Sequence, residues 1–166
     1  MARKKGLYKT MKVIGIDPGS GIIGFGLIEQ SSKPKLIDAG IIRTTIGDDP
    51  ASRLVELYES LKELITEFKP DVASVEKLFF AQNVTTAMNV SQARGVILLA
   101  LAEAGLPIYE YTPLQIKMAM TGYGRATKAQ IQEMVRVQLG LKKKPSPDDA
   151  ADALAVALTH LSTRSN

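Results

Sequence analysis

Four acidic residues stand where carboxylates can act together: Asp17, Glu76, Asp149 and Asp152. Asp17 closes the apolar run that begins at Lys12, and Glu76 closes the run that begins at Asp71, so each reads as the acid at the end of a β-strand. Ligand sites in open α/β sheets gather at the C-terminal ends of strands, and two such acids converge when their strands are neighbours. Asp149 and Asp152 are three residues apart at the start of a helical pattern, which puts them on one face. Four carboxylates in one place repel one another unless cations hold them, and an all-oxygen donor set suits Mg²⁺ or Mn²⁺. Two such ions about 3.5–4 Å apart can activate water and stabilise the leaving oxygen in phosphodiester hydrolysis. The chain has no cysteine, and its one histidine, His160, lies two turns beyond Asp152, so thiolate, imidazole–zinc and Ser-His-Asp chemistry are poorly supported.

Each acid also has a plainer explanation. Asp17 can simply open the turn Asp17-Pro18-Gly19-Ser20-Gly21, and Asp149 can simply complement a helix dipole. Glu76 and Asp152 are harder to explain that way. Glu76 ends an apolar strand, where a buried acid needs a partner. Asp152 interrupts an Ala-Ala-Asp-Ala-Leu-Ala surface small enough to require close packing.

The elements that must position these acids follow from periodicity and turn residues. Strands are predicted over 12–17, 22–29, 36–44, 71–76 and 107–111. A helix follows Asp49 as cap and Pro50 as first residue, with Leu54, Leu57, Leu61, Leu64, Ile65 and Phe68 along one face. Further helices are expected over 83–104, 113–121 and from Thr127, with its capping-box partner Gln130, to Gly140. The last helix is expected to have Ser146 as cap, Pro147 as its first residue and Asp149 as its third. The order β-β-β-α-β-α-β-α-α-α predicts an α/β domain with a mixed five-stranded sheet flanked by helices.

With 166 residues, 45% of them hydrophobic and 23% charged, the chain fits one globular domain. That domain is expected over residues 11–162, with 1–10 as a flexible basic tail and 163–166 as a C-terminal tail. The longest apolar run, Gly95 to Ala102, is short of a membrane span, and a cytoplasmic protein with no membrane association is expected. The formal charge of +4 conceals a division. Residues 113–145 hold seven basic residues against Glu133 alone, while the rest beyond the tail is net acidic. A basic segment beside a carboxylate-rich centre suits a protein that grips phosphates, although a solvated basic helix would look the same. The helix over 83–104 carries Val84, Met88, Val96, Ile97, Leu98, Leu99 and Leu101, more apolar surface than one contact with a sheet requires.

The strings Gly15-Ile16-Asp17-Pro18-Gly19, Ser74-Val75-Glu76-Lys77-Leu78-Phe79, Ser91-Gln92-Ala93-Arg94-Gly95 and Asp148-Asp149-Ala150-Ala151-Asp152-Ala153-Leu154-Ala155 closely resemble the RuvC family of Holliday-junction resolvases. The resemblance runs from about Met11 to Leu161. It implies a ribonuclease-H-like fold and a homodimer in which part of the 83–104 helix forms the two-fold interface. It implies symmetric, metal-dependent nicking of two opposed strands of a four-way DNA junction, in recombination and repair. By the same resemblance Asp17, Glu76, Asp149 and Asp152 are the catalytic and metal-binding acids, holding two Mg²⁺ ions per subunit for which Mn²⁺ substitutes. Phe79 is the aromatic that stacks on a base near the crossover, with Phe80 next to it as the alternative. Lys117 and Lys128 fall near the scissile phosphate, and the RuvA–RuvB branch-migration complex is the implied partner; Arg125 and Lys142 to Lys144 suit DNA-backbone contacts and a solvated loop equally well. The basic tail departs from the family pattern, in which the first strand opens the chain.

Two other classes compete. An actin-like or kinase-like phosphotransferase shares the Asp-x-Gly turn but needs a second phosphate loop and usually a longer chain. A non-catalytic nucleic-acid-binding module would use the acids structurally. A resolvase-like RNA-processing nuclease would differ only in its substrate.

Overall fold

The structure, a computed structural model, describes residues 10–77 and 83–164. The turn formers after Asp17 reverse the chain, so β1 (Lys12–Asp17) and β2 (Ile22–Glu29) pair antiparallel, with Asp17 opposite Gly24. β3 (Lys35–Arg43) adds antiparallel to β2. The chain then forms α1 (Pro50–Phe68), β4 (Val72–Glu76), α2 (Val84–Glu103), β5 (Ile108–Tyr111), α3 (Pro113–Thr121), α4 (Lys128–Leu139) and α5 (Asp148–Arg164). The sheet order is β3-β2-β1-β4-β5, with β1, β4 and β5 mutually parallel. This is the mixed five-stranded sheet flanked by helices predicted above.

Local signals account for the helix ends. The Asp49 carboxylate accepts from the Ala51 and Ser52 amides ahead of Pro50, and Thr127 and Gln130 exchange bonds across the first turn of α4. The start of α5 differs from the expectation. Its first residue is Asp148, and the Pro147 carbonyl accepts from the Ala150 and Ala151 amides, so Pro147 rather than Ser146 holds the capping position. Asp149 is therefore the second helical residue.

Strand alternation divides the sheet into two faces. Ile14, Ile16, Ile23, Phe25, Leu27, Ala73 and Val75 point to one core, shared with α1 and α2. By length and apolar composition α2 would suffice to cross a bilayer. Here it docks on this core through Val90, Ala93, Ile97, Ala100 and Leu101, and its Arg94 pairs with Glu110 of β5. The opposite residues, Val13 and Val72 among them, meet α3, α4 and α5.

On that second face α5 lies nearly on the sheet backbone. A Cβ on Gly15 would stand 2.2 Å from the Ala153 carbonyl oxygen, and one on Gly24 would stand 2.0 Å from that of Asp149. Glycine is required at both positions. The small faces of Ala150, Ala151, Ala153 and Ala157, all fully buried, complete the close approach. Below it, the Ser74 hydroxyl donates to the Val156 carbonyl at 3.2 Å.

Candidate active site

The alternation that puts Gly15 and Ser74 under α5 also decides where two of the acids go. Asp17 is two residues beyond Gly15 and Glu76 two beyond Ser74, so both side chains emerge on the α5 face at the ends of adjacent parallel strands. Helix α5 brings the other pair: its close seat on Gly24 carries Asp149 over β2, and Asp152 follows one turn later. Oxygens of Asp17, Asp149 and Asp152 all lie within 4.8 Å of one another. Glu76 shares a carboxyl–carboxylate hydrogen bond with Asp17. The four acids are thus brought together.

Their electrostatics are strained. Burial, then the bond to Glu76, then the charges of Glu76, Asp152 and Asp149 push the Asp17 carboxyl up to about 9. Burial raises Glu76 as well, opposed by the hydrogen bond that Asp17 donates and by the positive charges of Lys128 and Lys117. Asp152 is raised by burial and held back by Lys128, whose Nζ lies 2.9 Å from its carboxylate and 3.8 Å from Asp148. A half-buried, oxygen-only donor set with excess negative charge fits a hard divalent cation. Among the described residues, Lys128 is the one cation paired with the set.

The basic residues divide. Lys117 and Lys128 line one cleft with Glu76 and Asp152, between α3 and α4. Arg125 is exposed in the loop between those helices, beside Ala126, which lines the same cleft. Lys142, Lys143 and Lys144 are exposed, and Lys144 Nζ lies 3.5 Å from the Ala129 carbonyl. Phe79 and Phe80 lie outside the described residues. His160 is away from the acids, wholly buried against Tyr111 and Tyr109. The direct pairing of Lys128 with Asp152 was not foreseeable from spacing, because it joins the first residue of α4 to the second turn of α5, 24 residues later.

A family model for crossover junction endodeoxyribonuclease RuvC matches residues 13–160. The chain belongs to the RuvC family. Its members carry the name of nucleases that hydrolyse DNA at crossover junctions. A RuvC relative from Moorella thermoacetica is 52% identical over 92% of each chain, and one from Petrotoga mobilis is 54% identical over 90% of this chain and 93% of its own. The structure of T. thermophilus RuvC in complex with Holliday junction substrate superposes with a TM-score of 0.88 at 37% identity, covering 93% of this chain and 94% of that one. The yeast mitochondrial Holliday junction resolvase Ydc2 shares the fold at a TM-score of 0.70 and 16% identity, over 97% of this chain and 82% of its own. This membership and the clustered acids together indicate dependence on a divalent metal.

Proposed function

We propose that this protein resolves four-way (Holliday) DNA junctions by nicking two opposed strands symmetrically, in recombination and repair. The single observation that carries the reading is the convergence of Asp17, Glu76, Asp149 and Asp152 beside a lysine-lined cleft, in a RuvC-family chain. These acids would hold two Mg²⁺ ions per subunit, with Mn²⁺ as a substitute, and the bound metal supplies an activated water and charge neutralisation at the leaving oxygen. Lys117 and Lys128 face the same cleft as Glu76 and Asp152, so their charges are available to a phosphate entering it. Lys128 Nζ lies 2.9 Å from Asp152, and it would be available to a phosphate if a cation held that carboxylate. Arg125 contacts the backbone further out, and Phe79 stacks on a base at the crossover, a contact worth about 1–3 kcal/mol.

Two opposed strands call for two copies of the site related by a two-fold axis. Helix α2 supports such a homodimer, because Val84, Met88 and Leu99 remain exposed on it after its inner face is buried. The same reading makes the protein cytoplasmic, with the RuvA–RuvB branch-migration complex as partner.

The test offers synthetic four-way junctions, duplexes and single strands with Mg²⁺ or with chelator, and maps the products. Paired nicks confined to junctions and to the metal-containing reactions are expected. Junctions bound but never nicked, or duplexes cut equally well, would overturn the reading.

A further inference from the structure

Across β1 from the lysine-lined cleft lies a second one, of about 460 Å³, that begins at the acids themselves. Asp149 lines it with Gly19, Ser20, Thr44, Arg43 and Arg53. The sheet order separates the two: Lys117 and Lys128 flank the β4 side of the acids, whereas Arg43 ends β3 and lies beyond β2 on the other side.

Arg53 is held in place by the fold. Its Nη2 donates to the Ser20 carbonyl at 3.0 Å and its Nε to the Thr44 hydroxyl at 3.1 Å, while the Thr44 amide donates to the Gly21 carbonyl at 3.2 Å. A Cβ on Gly21 would come within 2.7 Å of Arg53 Nη2, so the glycine makes room for the guanidinium against the turn that follows Asp17. These two bonds occupy two of its five N–H donors. Arg43 is exposed and forms no ion pair among the described residues. Acids are near, but they are engaged: Glu56 accepts from the Thr45 amide and hydroxyl at 2.8 Å each, Asp49 caps α1, and Asp149 belongs to the acid cluster.

We propose that this cleft is a second phosphate subsite, in which Arg43 and Arg53 grip the backbone of the cleaved strand on the side opposite Lys117 and Lys128. The inference rests on the function proposed above. A strand lying across the acids must leave them in both directions. With cations on one side alone it would be tethered at one point; with cations on both it is held in line over the reacting phosphate. The rigid guanidinium fork of Arg53 suits phosphate oxygens better than an ammonium would.

The experiment measures binding of a synthetic four-way junction in Mg²⁺ between 50 and 300 mM salt, on a Glu76→Gln background to prevent cutting. Each phosphate that a variant no longer neutralises lowers the slope of log K against log salt by about 0.9. Arg43→Gln and Arg53→Gln should each weaken binding about three- to tenfold at the middle of that range and flatten the slope by about 1.8, one phosphate for each subunit of the dimer. Arg43→Lys should restore the slope, and Lys62→Gln, on the same helix as Arg53 but facing Tyr58, should change neither quantity. Should Arg53→Gln melt early, Arg43→Gln decides alone, because its side chain is exposed. An unchanged affinity and slope in Arg43→Gln overturns the subsite. If the unsubstituted protein nicks junctions nonetheless, only the subsite fails; if it never nicks them, the functional reading fails first.

Discussion

Helix α5 presses Asp149 and Asp152 against the sheet near its start and His160 against the sheet two turns further on. At the histidine the fold pairs one ring nitrogen and surrounds the ring with aromatic side chains. His160 Nδ1 lies 2.8 Å from the Tyr111 hydroxyl, the Tyr109 ring is 4.6 Å away, and Arg164 lies over Tyr109 at 4.7 Å. Burial, helped by Arg164, pushes the imidazole below its usual range, so it is neutral at physiological pH. At the acids the opposite holds: burial and mutual repulsion raise Asp17, Glu76 and Asp152, and Lys128 balances only part of the charge. One helix, with one run of buried alanines, therefore carries a cluster around an imidazole kept neutral by burial and another whose excess negative charge a cation must complete. Buried charge retained without full compensation marks a site under functional rather than structural demand.

The contrast breaks most readily at Asp17. Asp17→Asn should lower junction nicking by several kcal/mol of transition-state stabilisation, about a thousandfold, while junction binding persists. The same change should raise the melting temperature of the metal-free protein. An acid raised from near 4 in the unfolded chain to about 9 in the fold contributes no penalty below pH 4 and a growing one as pH rises toward 9. Within that window the penalty grows by at most about 1.4 kcal/mol per pH unit. Melting scans from pH 5 to 8 should show the unsubstituted protein falling behind Asp17→Asn, and added Mg²⁺ should close the gap. Parallel curves would mean that the cluster carries no such burden.

Next in size is the seat of α5. Gly24→Ala should cost about 1–3 kcal/mol, because the Asp149 backbone leaves no room for a methyl group. It should also slow nicking more than that loss of stability explains, since the helix that yields is the one bearing Asp149 and Asp152. A variant that melts early but cuts at the normal rate once folded would show that the acids tolerate a shifted α5.

How much of this was legible in the sequence depends on the range of the interaction. Asp49 before Pro50, Thr127 with Gln130, and the acids closing β1 and β4 are signals carried within a few residues, and the elements formed at or next to the expected bounds. The small surface around Asp152 foretold close packing but not its partner, because nothing local pairs Gly15 and Gly24 with a helix some 130 residues later. The start of α5 was misplaced by one residue for a related reason: Ser, Pro and Asp each suit several positions of a first turn, and the carbonyl that accepts the first helical bond belongs to Pro147. The bridge from Arg53 to the turn after Asp17 left no trace in spacing, since a basic residue one turn into an amphipathic helix looks like surface.

The smallest effect is expected at the other end of α5, and its value lies in what should not change. Tyr111→Phe removes the hydroxyl beside His160 Nδ1 and leaves a buried ring nitrogen without that partner. Nε2 already lacks one among the described residues, so the ring has little left to lose before it disrupts its surroundings. The cost should be about 1–2 kcal/mol, a drop of roughly 2–8 °C in melting temperature for a domain of this size. Eight residues of helix, about 12 Å, separate His160 from Asp152, and the alanines between them are fully buried. Junction nicking below the melting transition should therefore proceed at the unsubstituted rate with the same dependence on Mg²⁺. A loss of rate, with Tm lowered no more than this, would mean that the histidine cluster helps hold Asp152 in register, and the two ends of α5 would have to be treated as one device.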